Sequence, residues 1–265
     1  MRRALLACAL TASVTVVAIA LALILEGWPA LPAIGGTVWD TEAGRFGIMA
    51  MLWGSLAVTA GALLLAVPVG VGVALFVTEV APPTLGGLMR RILQWLAAVP
   101  SVVYGFVGLS LLVPAIRHAA GGFGYSVLAG ALVLAVMALP TIATVAEDAL
   151  RSLPPAYREG ARALGATPWQ AVRRVLLPAA RSGLMTAVVL GLGRALGETM
   201  AVLMVTGNMP AVPRSPLDPV RTLTGNIAME MAYAADLHQA ALFASGAVLL
   251  AMVLAVNAAA RRIQR

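Results

Sequence analysis

From Phe46 to Thr78 the chain runs without a single charged residue. At about 1.5 Å per helical residue, such a stretch exceeds the roughly 30 Å hydrocarbon core of a bilayer, with room for tilt or an interfacial portion. Soluble domains have about a quarter of their residues charged; here the share is 11%, against 61% hydrophobic residues. Six segments are long enough to cross, at roughly 4–25, 49–77, 91–115, 124–147, 182–208 and 237–260. The predicted fold class is therefore an all-α integral membrane protein, and 265 residues suit one polytopic domain.

Every one of the 18 basic residues is Arg, and their placement orients the spans. With the N-terminus inside, the inner side carries Arg2, Arg3, Arg90, Arg91, Arg151, Arg158, Arg162, Arg173, Arg174, Arg181, Arg261, Arg262 and Arg265. The outer side has Arg45, Arg117, Arg214 and Arg221, a bias of about three to one that predicts both termini in the cytoplasm. Trp28, Trp39 and Trp53 bracket the first outer loop, as interfacial aromatics do. The net charge of +7 is sorted by loop and not gathered into a patch, which argues against nucleic acid.

The missing lysine excludes function classes. A P-loop ATPase needs the Lys of its phosphate loop, and a Schiff-base enzyme needs one as its nucleophile. No G-x-S-x-G, no H-E-x-x-H and no metal-ligand spacing is present, and His118 and His238 lie far apart. Cys8 is the only cysteine, so no internal disulfide forms; Leu5-Leu-Ala-Cys8 has too little apolar chain before it for a lipoprotein site and reads as a buried helix thiol. Met-Arg-Arg followed by Ala4 to Leu25 has the order of a signal peptide but is long enough to span. With no convincing cleavage site after it, it reads as an uncleaved first span.

The costliest residues to keep are Arg194 and Glu198, inside the apolar run from Leu184 to Val205. Counting about 1.5 Å per residue from Arg181 at the inner edge places Arg194 roughly 20 Å deep, past the midplane. On one continuous helix the i,i+4 spacing puts both side chains on one face. Two readings follow: an ion pair that neutralises itself while helices pack, or charges that meet a substrate. Gly191, Gly193 and Gly197 keep the surrounding surface small. Ser101 and Tyr104 adjoin Pro100, which frees a backbone carbonyl; their hydroxyls either line a passage or serve helix packing. Glu79 and Glu147 sit at inner edges and are expected to be solvated or paired with Arg.

Two connecting stretches are long. The outer loop from about Met209 to Asp236, with Asp218, Arg221, Asn226 and Glu230, is the expected surface for an extracytoplasmic partner. On the inner side, Pro154 and Pro155 suit the first turn of a helix and Gly165 its C′ position. Thr167-Pro168 restarts a helix with an N-cap and an N1 proline, Val172, Val175 and Leu176 follow at helical spacing, and Pro178 bends the chain into the fifth span. This unit is either an interfacial anchor or a knob that docks on a soluble partner.

Glu159-Gly160-Ala161, Gly165 and Leu177-Pro178 resemble the E-A-A…G…L-P loop of permease subunits of bacterial ABC importers, with Gly in the second position. Gly191-Leu-Gly-Arg194-Ala-Leu-Gly-Glu198-Thr-Met-Ala-Val202 resembles the signature of PstC-type permeases of phosphate-specific importers. Ala97-Ala-Val-Pro100-Ser-Val-Val-Tyr104-Gly105 and Thr206-Gly-Asn208 agree with it. The resemblance implies a type I importer permease. Residues 1–45 would form the first transmembrane helix and outer loop, and 46–265 the permease domain, with a coupling helix near 154–165.

It implies Glu159, Gly160, Ala161, Gly165 and Pro178 as the ATPase-coupling residues, and Arg194, Glu198, Thr199, Ser101 and Tyr104 as the substrate pathway. It further implies a second (PstA-like) permease, a PstB-like ATPase dimer that binds ATP and Mg, a PstS-like phosphate-binding protein outside, and residence in the bacterial cytoplasmic membrane. No catalytic residue, metal or cofactor is expected in this chain. The alternatives are a PstA-type subunit, a permease for molybdate, tungstate or sulfate, and an ion-coupled secondary transporter.

Overall fold

The computed structural model describes residues 2–264, so Met1 and Arg265 lie outside it. The chain opens with α1 (Arg2–Gly27), then a two-residue hairpin, β1 (Trp39–Asp40) paired antiparallel with β2 (Arg45–Phe46). Next come α2 (Met49–Leu75), α3 (Pro83–Ala98), α4 (Ser101–Val107), α5 (Val113–Ala120) and α6 (Val127–Arg151). On the inner side follow α7 (Pro155–Ala163), α8 (Pro168–Ala171) and α9 (Leu177–Ala179). The last four helices are α10 (Arg181–Leu196), α11 (Met200–Val205), α12 (Leu223–Glu230) and α13 (Asp236–Gln264). Widened π turns, Phe76–Val80 and Gly108–Leu112, close α2 and join α4 to α5, and a third, Val172–Leu176, joins α8 to α9.

Small residues set the packing. Along α2, Val58, Ala62, Ala66, Gly70 and Ala74 recur every fourth position and are all buried. That stripe lets α2 lie directly on α6: a Cβ on Gly70 would stand 2.8 Å from Ile142, and one on Gly61 2.8 Å from Ala131. Between lipid-embedded helices, where water drives nothing together, such close backbone contact is the main source of packing energy. Gly191 brings α10 onto Ile142 in the same way. Helix α6 is thus the centre of the bundle, with 67% of its apolar window buried, whereas the corresponding window of α1 is 0% buried.

Among the described residues, five helices are long and apolar enough to cross a membrane, or six if α8–α9 and α10, bent by 71°, form one span. The bend falls at Ala180, just after Pro178. Two predicted spans are corrected. The third, expected at 91–115, is interrupted at Val99–Pro100: α3 is a separate amphipathic helix, and the crossing segment is Ser101–Ala120. The fifth, expected at 182–208, breaks at Gly197–Thr199. Cys8, expected to be buried, is exposed, because α1 packs against α13 and leaves its other faces free.

Candidate functional site

The break in the fifth span decides the geometry around Arg194. Helix α10 ends at Leu196, where Gly197 N–H returns to Gly193 O at 3.2 Å. The chain then turns through Glu198 and Thr199 before α11 begins. Arg194 and Glu198 therefore do not share one continuous helix, and of the two readings left open, the self-neutralising ion pair is not formed among the described residues. Glu198 serves the new helix start: Ala201 N–H donates to its Oε1 at 3.3 Å, and its carbonyl accepts from Thr224 Oγ1 at 2.9 Å. Thr199 Oγ1 donates to Gly197 O at 3.4 Å. Among the described residues, Arg194 is exposed and joins none of the ion pairs, which involve Glu79, Glu147 and Glu230.

A second break faces this one. Pro100 has no N–H, so the Leu96 carbonyl four residues earlier loses its normal helical donor. The Tyr104 hydroxyl donates to that carbonyl at 2.7 Å. Its hydroxyl thus closes the break and lies within electrostatic reach of Arg194. Ser101 starts α4 and is half-buried. Gly105 holds α4 against α11: a Cβ there would stand 2.8 Å from Met204 Sδ and 2.9 Å from Ala201 Cα. Of the five proposed pathway residues, Glu198 and Thr199 form the break after α10, Ser101 and Tyr104 lie at the break after α3, and Arg194 acts on the Tyr104 hydroxyl at electrostatic range.

Behind the break, a narrow cavity is lined by Ser55, Thr59, Thr222, Thr224 and Glu198 among others. Thr222 caps α12, its Oγ1 accepting from Gly225 N at 3.1 Å. These hydroxyls were not singled out from the sequence. Thr222 before Leu223 carries a local N-cap signal, but its meeting with Glu198 is a tertiary fact.

The outer stretch differs from expectation. Arg221, Asn226 and Glu230, predicted to face a partner, are folded inward. Glu230 takes Arg221 Nη1 at 2.7 Å on Oε1 and Trp39 Nε1 at 2.9 Å on Oε2, with His238 Nε2 2.8 Å from Oε2. Arg221 also donates to Asn226 Oδ1 at 3.0 Å and to the Asn208 carbonyl at 2.9 Å. The cluster ties the first outer loop, the end of the fifth span and α13 together. Charge in the sequence suggested solvent; mutual neutralisation allows burial. Asp218 also turns inward on its own loop, accepting from Arg214 N and Ser215 N at 2.7 and 2.8 Å.

On the inner side, α7 starts after Pro154 and ends before Gly165 at φ +76°, matching the proline and glycine signals. Thr167 and Gln170 close a reciprocal capping box at the start of α8. Ala161 faces the bundle and is buried, while Glu159, Gly160, Tyr157 and Leu164 are exposed. Glu147 pairs with Arg90 at 2.7 Å and Arg151 at 2.8 Å, and Glu79 with Arg158 at 2.7 Å, so both inner-edge carboxylates are paired as expected. Among the described residues, no group of three or more His, Cys, Asp or Glu side chains is placed to hold a metal ion.

An apolar helical bundle with an exposed guanidinium that joins no ion pair among the described residues, and a short amphipathic helix between two of its long helices, has the build of a membrane permease. The chain belongs to the family of binding-protein-dependent transport system inner membrane components, whose pattern residues 66–265 match. It is 46% identical over 211 residues to a probable ABC transporter permease protein, YqgH, of Bacillus subtilis, covering 78% of this chain and 68% of that one. It is 36% identical over 267 residues to the phosphate transport system permease protein PstC of Haemophilus influenzae, covering 91% and 84%. Its fold is similar to an inward-facing MetNI methionine ABC transporter, with TM-score 0.65 and 25% identity over 81% of this chain and 93% of that one.

Proposed function

We propose that this chain is the membrane-spanning permease subunit of an ATP-driven phosphate importer. The observation that carries this is Arg194, an exposed guanidinium that pairs with no carboxylate among the described residues, in a segment the sequence places inside the bilayer. A charge there is tolerated where it meets a cavity, a partner or a substrate. Guanidinium presents a planar fork to two oxygens of a tetrahedral oxyanion, with a charge that cannot be lost, and low dielectric strengthens the contact. The relatives named for phosphate transport support the choice of anion.

On this reading the chain makes six crossings, with the bent α8–α9 and α10 unit counted as one and both termini in the cytoplasm. It sits in the bacterial cytoplasmic membrane beside a second permease subunit, whose surface closes the passage at Arg194. An extracytoplasmic phosphate-binding protein delivers the anion. A separate ATPase dimer binds ATP and Mg and docks on α7 through its exposed face at Glu159, Gly160 and Leu164. Ala161 seats α7 on the bundle, Gly165 ends it, and Pro178 sets the elbow behind it. At the break, Ser101 and Thr199 complete the polar rim, Tyr104 holds the Pro100 turn next to Arg194, and the free oxygen of Glu198 accepts the proton of hydrogen phosphate, which sulfate lacks.

The test is uptake by the complete complex in proteoliposomes. Phosphate uptake should require ATP and the binding protein, survive collapse of ion gradients, and be unaffected by excess sulfate, molybdate or tungstate. Uptake that follows an ion gradient without ATP overturns the reading, as does stronger competition by one of those oxyanions than by unlabelled phosphate.

A further inference from the structure

Arg158 joins three elements at once. Its Nε lies 3.1 and 3.3 Å from the two carboxylate oxygens of Glu79, and its Nη2 donates to Oε1 at 2.7 Å. Nη2 also reaches the Leu150 carbonyl at 3.0 Å and Nη1 the Leu153 carbonyl at 3.5 Å, at the end of α6. The pair is sheltered, with side chains 24% and 13% exposed. Glu79 sits in the π turn that closes α2, and such widened turns recur at functional sites because they shift register at low cost.

Helix α7 consequently has two faces of different character. Arg158 and Ala161, three residues apart, form the held face. Glu159 and Gly160 lie on the free side, and Leu164 is exposed just past the helix end. Covalently, α7 connects to α10 through α8 and α9, across a 71° bend. Through Arg158 it is bonded directly to α2, the helix on which both α6 and α10 pack.

We propose that the Arg158–Glu79 pair is a second mechanical link from the coupling helix, carrying its displacement straight to α2 so that α2, α6 and α10 move as one body. This rests on the ATP-driven reading above. Arg158 and Glu79 touch neither nucleotide nor transported anion, so they are positioning residues. Loss of the link uncouples hydrolysis from transport; Glu79 acts through Arg158, which in addition holds the Leu150 and Leu153 carbonyls.

The experiment measures phosphate taken up per ATP hydrolysed in proteoliposomes of the complete complex, for Glu79→Gln, Arg158→Gln, the double variant, and Arg158→Lys. Each Gln variant should assemble, hydrolyse ATP at close to the wild-type rate, and lower the ratio by about tenfold, the scale expected for breaking a sheltered pair. The double variant should be no worse than the worse single, and Arg158→Lys should recover part of the ratio. Arg151→Gln, which removes a pair within one helix, should leave it unchanged. The proposal is overturned if the single variants stay within about twofold of wild type, if losses multiply in the double, if Arg151→Gln loses as much, or if hydrolysis and uptake fall in parallel. Uptake by the wild-type complex without ATP would instead sink the underlying reading.

Discussion

Arg221 and Arg194 are both arginines in apolar surroundings, and the fold treats them in opposite ways. Arg221 is held by Glu230, Asn226 and the Asn208 carbonyl, its side chain 14% exposed. Arg194 is exposed on its helix, with the nearest carboxylate of its own segment, Glu198, turned to cap α11. The contrast separates two uses of one residue type. A guanidinium paired with a buried carboxylate within the chain fixes structure; one left exposed without such a partner is available to something that arrives.

The comparison can be broken by substitutions that should act first on stability. The largest effect is expected for Arg221→Ala, which removes the guanidinium partner of buried Glu230, leaving it only Trp39 and His238, and should cost about 3–5 kcal/mol in thermal unfolding of the purified complex. Loss of transport with undiminished stability in that variant would erase the distinction. Next is Gly105→Ala, whose methyl group meets the Ala201 backbone; overpacking at the α4–α11 contact should cost about 1–3 kcal/mol. Because that contact sets Tyr104 beside Arg194, uptake should fall as well. An unchanged melting temperature would mean that the helices separate freely there.

Smaller effects sharpen the picture at the two breaks. Tyr104→Phe leaves the Leu96 carbonyl without its hydroxyl donor and should destabilise by about 1 kcal/mol, with transport retained. A complete loss of uptake would return the hydroxyl to the passage. Smallest of all is Glu198→Gln, whose amide oxygen still accepts from Ala201 N, so stability should stay within about 0.5 kcal/mol. Phosphate-over-sulfate preference, measured by competition, should nevertheless drop, and an unchanged preference would remove the selectivity role of Glu198.

Much of the inner side was legible in the sequence because its signals are local. Pro154-Pro155, Gly165 and the Thr167…Gln170 box each act within one turn, so α7 and the start of α8 fell where spacing put them. The fifth span misled for the opposite reason. Leu196-Gly197-Glu198-Thr199 carries a helix stop and a restart, but it lies in an apolar run, and hydropathy averaged over a span length hides a three-residue interruption. Pro100 was noticed as freeing a carbonyl, yet nothing local says that Tyr104 will supply the missing donor. The outer cluster was invisible for a third reason: Trp39, Arg221, Glu230 and His238 are brought together by tertiary packing, and each alone reads as surface.

The central claim is that Arg194 is held open for the transported anion. Its most direct test is phosphate uptake by the reconstituted complex carrying Arg194→Ala, with subunit stoichiometry and thermal unfolding measured on the same preparation. Uptake should fall to background while assembly and melting temperature match wild type, since no interaction within the chain is lost. Normal uptake by a fully assembled Arg194→Ala complex would contradict the account.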